Sequence, residues 1–538
     1  MRRCRWEFLA GSKLHGRSFF GALCGKKYNV IRGDGVEYCF VPPQVRSSME
    51  HVQTFFVNIE SPTWLLHVSL LLVAVFFRFS RLISVRNLDL ILLLLLSIAA
   101  VRAADAGKSD VDVAAVSDTA SESEDPEAAS VEASESRATE LAETELAEPE
   151  QAEPGARWAS LIAVGISILF VLRLTFDEAL TRRPRLEQNL NQAGLTFLFL
   201  PAFSILMAGV FLKEPPGRNL EVVKSGAALL DRQETTPPGA DGKQVTPPPT
   251  ETLFAAAATK VTELSGRTAI EGWIARVLVV LAHTALILGL LYIGRKHFCS
   301  TQLGVSMSCL YLLLPCTAYN AHELSHVVPG ACLTWAFAMY RKPAVAGVLL
   351  GLACGTLFFA VFLLPLWAVF YGKKGSLKFG SSLLGVAAVV LITFALTSEN
   401  ADSFVSKLVM TANWTAYRLF NAAEPLPDNA IGHVFLRITL AAFFFVMLVA
   451  MTVIPRKRNL ENLLANSTAL IVVAQLWYPD DVGAYILWYL PLLLLVMFRP
   501  RLDRFVPPEP PASQASARRP DGKATQPAGS LSRVTLYN

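Results

Sequence analysis

The chain has 538 residues, of which 53% are hydrophobic and only 17% are charged, and its formal net charge is +4. Soluble globular proteins carry about 25% charged residues, so the composition excludes a string of soluble domains. The small net charge, without a basic cluster interleaved with aromatic residues, argues against nucleic acid as a partner. The composition predicts an all-α polytopic membrane protein whose partners are membrane lipids.

The stretch before the first apolar run, residues 1–48, is basic but contains no apolar segment of the length found in secretory signals. Met49 then opens a short acidic lead into that run. We expect Met49 to be the true start of translation. Residues 1–48 are therefore predicted to be a disordered or mis-annotated N-terminal extension.

Eleven apolar runs indicate transmembrane helices, each of which needs about 20 apolar residues to cross the hydrocarbon core. The first two lie within residues 49–101, the next pair within 157–212, and the others form a main bundle within 273–500. The predicted spans are Trp64–Phe79, Leu88–Val101, Trp158–Leu174, Ala193–Leu212, Trp273–Gly294, Thr301–Tyr319, Val327–Tyr340, Gly380–Ser398, His433–Ile454, Leu463–Tyr478 and Ala484–Phe498.

The short loops predict the orientation, because Lys and Arg favour the cytoplasmic side. Strict alternation of the spans places every basic cluster on one side: Arg78/Arg81/Arg86, Arg182/Arg183/Arg185, Arg295/Lys296, Arg341/Lys342, Arg456/Lys457/Arg458 and Arg499/Arg501. We therefore expect a multi-pass protein of a bacterial inner membrane. Its tail, residues 501–538, is rich in Pro, Ala and Ser and is predicted to be disordered in the cytoplasm.

One segment departs from simple alternation. Between Lys342 and Lys373 the chain is mostly apolar, has basic residues at both ends, and contains Gly351, Gly355 and Pro365. About 30 residues are too many for one straight span whose two ends share a side. We predict a re-entrant pair of short helices that enters from the cytoplasmic side and returns. The alternative is one long, proline-kinked helix.

Two polar inserts separate the spans on the outer side. Residues 102–156 are rich in Ala, Ser and acidic residues, and we expect them to form a disordered extracytoplasmic insert. Residues 213–272 contain a Pro-rich stretch and are predicted to be an extended spacer with one short helix near Leu253–Leu264.

The sequence from His322 to His326, HELSH, matches the H-E-x-x-H pattern of zinc metalloproteases. That chemistry needs two histidines one turn apart on a helix, a glutamate base and a third ligand. Pro329 disfavours the continuing helix, and no third ligand is evident. A membrane zinc protease is therefore a minor alternative, and no residue is assigned to a metal.

The longer stretch around this motif resembles a segment of the GT-C class of polytopic glycosyltransferases, which includes mannosyltransferases that use polyprenyl-phosphate mannose. Glu323 and Ser325 stand where that pattern has polar side chains at the outer end of a span. The basic turn and the glycine-spaced helix of the pattern match Arg341, Lys342, Pro343, Ala344, Ala346, Gly347, Gly351, Leu352 and Ala353. The resemblance covers residues 320–368, about a tenth of the chain.

The resemblance implies a GT-C-like bundle that transfers a sugar from a polyprenyl-phosphate donor at the extracytoplasmic face. GT-C enzymes carry a catalytic acid in the first outward loop, which here begins at Asp105 but has no recognisable motif. The candidate catalytic residues are Glu323, Asp105 and the pair Asp480 and Asp481, which lies between aromatic residues at the membrane face. The candidate ligands of the donor phosphate are His433, Arg437, His322 and His326.

Paired acids such as Asp480 and Asp481 could also hold a divalent cation, the one cofactor that the sequence suggests. Two alternatives to a transferase stay open. A transporter or channel would normally show inverted repeats with broken, charged helices at the midplane, whereas the sequence shows no repeat and few midplane charges beyond His283. The second alternative is a protein that keeps the GT-C fold without the activity.

Overall fold

The computed structural model of the chain is almost entirely helical. It describes residues 30–33, 36–39, 62–80, 84–121, 154–177, 186, 188–232, 247–264, 271–356, 358–398, 400–413, 430–454, 458–477 and 485–500. Within these ranges the only strands are β1 (Val30–Gly33) and β2 (Val36–Cys39), which pair as an antiparallel hairpin. The N-terminal extension predicted to be disordered therefore contains a short hairpin.

Sixteen α-helices lie in the described ranges, and a 3₁₀ turn (Phe358–Leu363) precedes α12. The helices are α1 (Pro62–Phe76), α2 (Val85–Ser121), α3 (Pro154–Thr175), α4 (Gln192–Leu212), α5 (Gly217–Asp231), α6 (Pro249–Leu264), α7 (Glu271–Lys296), α8 (Thr301–Leu313), α9 (Pro315–Tyr319), α10 (Leu324–Ala338), α11 (Pro343–Thr356), α12 (Leu364–Leu396), α13 (Ala401–Asn413), α14 (Ala430–Val453), α15 (Leu460–Trp477) and α16 (Ile486–Phe498).

Every predicted span falls on one or two of these helices, so the helical assignment is confirmed. Four described segments are both long and apolar enough to cross a membrane: Trp158–Thr175, Gln192–Leu212, Glu271–Lys296 and Phe359–Leu396. Six further apolar helices are shorter, with 10–17 residues. The structure thus supports a membrane-embedded helical protein, and the number of crossings stays a prediction.

The burial pattern separates central helices from peripheral ones. α10 and α16 are buried along nearly their whole length, and so is α15. Peripheral helices instead expose large apolar side chains, such as Phe197 (78% exposed), Leu384 (68%) and Val446 (67%). Soluble proteins rarely expose extended apolar faces, so this surface is compatible with a lipid environment.

The segment predicted to enter and return follows that course. α11 packs along the second half of α12, where a Cβ on Gly347 would lie 2.5 Å from the Phe379 carbonyl oxygen. The chain between them turns back at the 3₁₀ turn and turns again at Gly372, whose φ is +65°. The Tyr371 hydroxyl donates to the carbonyl of Tyr340, 2.7 Å away, so the segment returns to its starting level. Its depth in a membrane stays a prediction.

The two polar inserts contain more helix than expected. α2 continues to Ser121, so the first part of the acidic insert is helical, as its alanine content permits. In the second insert, α5 was not predicted, and α6 begins before Leu253, at Pro249. α5 and α6 pack against each other and against α7. Thr250 Oγ1 also donates to the Leu352 carbonyl of α11 at 2.9 Å.

A buried ion network joins four helices near the ends of α3 and α16. The Arg173 guanidinium contacts Asp89 at 3.3 Å and Asp177 at 2.6 Å. Arg499 contacts Asp177 and also Glu461, the latter at 3.2 Å. Removing one member would leave the opposite charge buried without compensation, which typically costs several kcal/mol. The network therefore ties α2, α3, α15 and α16 together at this end.

Candidate functional site

Glu323 lies in the turn between α9 and α10, at the position immediately before α10. α10 begins at Leu324, and Glu323 is its N-cap with an extended backbone conformation. A helix N-terminus carries partial positive charge from its unpaired amides, which favours an ionised carboxylate there. Local structure thus places an acidic group where its charge is stabilised.

His326 lies one helical turn into α10 and contacts this carboxylate. Its Nε2 is 2.9 Å from Glu323 Oε2, with the His326 side chain 11% exposed and that of Glu323 34% exposed. The second ring nitrogen, Nδ1, is buried and has no hydrogen-bond partner among the described residues. Such a carboxylate–imidazole pair can accept a proton from a bound hydroxyl, with the imidazole N–H fixing the orientation of the carboxylate.

Two aromatic residues at the start of α16 lie beside His326. The rings of Tyr485 and Trp488 lie 6.1 and 6.3 Å from that of His326, centroid to centroid and at small interplanar angles. Trp488 in turn stacks on Phe359 of the 3₁₀ turn at 4.9 Å. These rings cover His326, which is 11% exposed, while Glu323 stays 34% exposed.

Asn219 of α5 holds the backbone on both sides of Glu323. Its Nδ2 donates to the His322 carbonyl at 2.7 Å, and its Oδ1 accepts from the Leu324 amide at 3.3 Å. Asn219 is only 3% exposed. The side chain therefore supplies the cap that Glu323 itself does not provide. Nothing in the sequence around Asn219 singles it out, because its partners are about a hundred positions away.

His283, in the middle of α7, supports the same turn from within the bundle. Its Nε2 lies 3.1 Å from the Ala321 carbonyl, and its Nδ1 lies 3.1 Å from the hydroxyl of Tyr311. Both ring nitrogens are thus engaged, and the side chain is completely buried. His283 joins α7 and α8 to the turn that carries Glu323.

A narrow crevice without room for a water molecule lies next to the turn and is lined in part by His322 and Arg276. Glu214 lines it too and acts electrostatically on Arg276, whose guanidinium also donates to the Lys213 carbonyl at 3.0 and 3.2 Å. Arginine suits a phosphate because its planar fork matches two oxygens. Sequence reasoning missed Arg276, although a charged residue near the start of an apolar helix was a usable signal.

The structure brings three predicted site residues together: His322, Glu323 and His326. Asp105 lies in α2, and His433 and Arg437 lie in α14, with only their backbones described. Asp480 and Asp481 fall outside the described residues. Roles for these five residues stay predictions.

The zinc-protease geometry is not present at the HELSH sequence. His322 precedes α10 in a turn, so the two histidines do not share a helical face. Within the described ranges no three His, Cys, Asp or Glu side chains are grouped to hold a metal. Pro329 does not end the helix as expected; α10 continues to Ala338 with its side chains buried on nearly every face.

No protein-family model matches the chain, and no curated protein matches its sequence.

Proposed function

We propose that the protein is a membrane transferase that acts on a polyprenyl-phosphate sugar at the end of the bundle carrying Glu323. The observation that carries this proposal is the Glu323–His326 contact of 2.9 Å at the start of α10. The GT-C-like sequence pattern over residues 320–368 supplies the donor class. The proposal places this end outside a bacterial inner membrane, with eleven crossings and a re-entrant pair.

The pair suits the base that such a transfer requires. Glu323 takes the proton of an acceptor hydroxyl while the acceptor oxygen bonds to C1 of the sugar. The bond between C1 and the phosphate oxygen breaks, and the polyprenyl phosphate leaves with the electron pair. His326 donates its Nε2–H to Glu323 and keeps the carboxylate oriented.

We place the charged part of the donor at the mouth of the crevice next to the turn, which must widen to admit it. In this proposal Arg276 and His322 hold the phosphate, and Arg276 compensates the negative charge that develops on its oxygens as C1–O breaks. The polyprenyl chain lies in the surrounding lipid. This assigns to Arg276 part of the role that the sequence assigned to His433 and Arg437.

Release of polyprenyl phosphate from polyprenyl-phosphate mannose tests the proposal. The purified chain is reconstituted in phospholipid vesicles and compared with Glu323→Gln, which keeps the shape but not the charge. Loss of a base typically slows a reaction by about 10²- to 10⁴-fold. Glu263→Gln is the matched control, since Glu263 on α6 is an exposed glutamate paired with Lys260. Equal release by wild type and Glu323→Gln would contradict the proposal.

A further inference from the structure

Glu251 is a fully buried carboxyl group at the start of α6. Its residue is 1% exposed, and neither side-chain oxygen has a hydrogen-bond partner among the described residues. An ionised carboxylate without partners is one of the most costly groups to bury. The surroundings of Glu251 therefore suit a neutral carboxylic acid far better than a carboxylate.

The charged and titratable neighbours of Glu251 do not offset this burial. Arg218 of α5 acts on it from a distance and favours ionisation, while Cys332 of α10 is near enough to feel its charge. Burial outweighs Arg218 and raises the pKa of Glu251 to about 8. The partial positive charge at the start of α6 acts in the same direction as Arg218.

Glu251 also lies where the second insert joins the bundle. The preceding residue, Thr250, donates to the Leu352 carbonyl of α11, and the side chain of Thr250 fills the space above Gly355. On its other side α6 packs along α5. A charge appearing on Glu251 would therefore appear inside the contact between this helical hairpin and α10 and α11.

We propose that Glu251 is a proton-binding site that holds the α5–α6 hairpin on the bundle while it is neutral and loosens the hairpin when it ionises. The site's ligand is the proton, and water entering the loosened contact would solvate the carboxylate. This inference concerns a different residue from the Glu323–His326 pair and does not depend on the transferase proposal.

Infrared spectroscopy of the full chain in vesicles tests the protonation directly. Wild type should show the carbonyl band of a neutral carboxylic acid at neutral pH, and that band should disappear with a midpoint near pH 8. Glu251→Gln should lack the band, whereas Glu263→Gln should keep it. Asp89, Asp177 and Glu461 are the other buried acids among the described residues and are unchanged in Glu251→Gln, so the difference between the two spectra assigns the band to Glu251. A wild type without the band at neutral pH would overturn the proposal.

Hydrogen exchange of the amides in α6 tests the loosening. In wild type the exchange of residues 249–264, corrected for the intrinsic pH dependence, should rise severalfold above about pH 8. Glu251→Gln should show no such rise, and Glu251→Met provides a second uncharged side chain of similar size if the glutamine variant folds poorly. An identical rise in either variant would show that Glu251 does not control the hairpin.

Discussion

Replacing Asn219 by alanine is the most informative single change for the candidate site. The substitution leaves Glu323 and His326 in place and removes only the side chain that holds the backbone around Glu323. Both hydrogen bonds of Asn219 are lost together. The His322 carbonyl and the Leu324 amide are then left without this partner at a place where Asn219 itself is 3% exposed.

The expected loss of stability follows from those two groups. Leaving a buried donor or acceptor unpaired costs about 1–3 kcal/mol. The bond to the His322 carbonyl is short at 2.7 Å, whereas the bond from the Leu324 amide is long at 3.3 Å and contributes less. We expect Asn219→Ala to lower the free energy of unfolding by about 3 kcal/mol in total. Asn219→Asp keeps the oxygen that accepts from the Leu324 amide, but its second oxygen cannot donate to the His322 carbonyl. This variant should therefore lower the free energy of unfolding by a similar amount.

The assay combines unfolding in detergent with release of polyprenyl phosphate. The matched control is Asn87→Ala, because the side chain of Asn87 is also buried, donates to the Arg78 carbonyl at 3.0 Å and accepts from the Arg78 amide at 3.1 Å. Both alanine variants should lose stability, and only Asn219→Ala should also lose donor turnover below its unfolding temperature. Full turnover in Asn219→Ala would refute the positioning of Glu323 by Asn219, and an unchanged stability would refute the hydrogen-bond reasoning.

Three further predictions concern stability. Gly347→Ala should destabilise by about 1–3 kcal/mol, because its Cβ would collide with α12, whereas Gly385→Ala, with open space around it, should be nearly neutral in thermal unfolding. Asp177→Asn should cost about 3–5 kcal/mol in denaturant unfolding, while Lys260→Ala at the exposed pair should cost under about 1 kcal/mol. Between the ordinary glutamate pKa and about 8, Glu251 is protonated in the folded chain and ionised in the unfolded chain. The free energy of unfolding should therefore fall with rising pH in this window, by up to about 5 kcal/mol. Glu251→Gln should abolish that fall.

The helices were predictable because a membrane-embedded helix leaves a simple trace in sequence. Every backbone group in lipid must bond within its own helix, so each helix appears as a continuous apolar run between polar residues. The reversal of the chain between Lys342 and Lys373 was also predictable, since basic residues at both ends of an apolar segment imply that the chain turns back within it. Helix boundaries in the inserts were less predictable. α5 has no apolar run, and its stability comes from packing on α6 and α7.

Only the part of the candidate site that is formed by neighbouring residues in the sequence was predictable. The HELSH motif pointed to Glu323 and His326, which the structure places in contact, but the same motif also suggested a zinc helix. Which interpretation holds depends on where α10 begins, and a helix start is uncertain from sequence by a few residues. Because α10 starts at Leu324, His326 lies in the helix and His322 lies in the turn before it. The two histidines therefore do not lie on one helical face as zinc ligands would.

The second insert contributes residues to the candidate site and its surroundings, although its Pro-rich composition does not indicate this. A Pro-rich spacer would leave the turn before α10 without an N-terminal cap, because Glu323 makes no capping bond of its own. The insert instead supplies Asn219 from α5 to this turn and Glu251 from α6 to the contact with α10 and α11. α5 and α6 pack against each other, and from this we predict that a change in the charge of Glu251 alters the position of Asn219. If both inferences hold, the proposed transferase should lose turnover above about pH 8 in wild type, and Glu251→Gln should keep it. If the pH dependence of turnover is the same in wild type and Glu251→Gln, Glu251 does not influence Glu323.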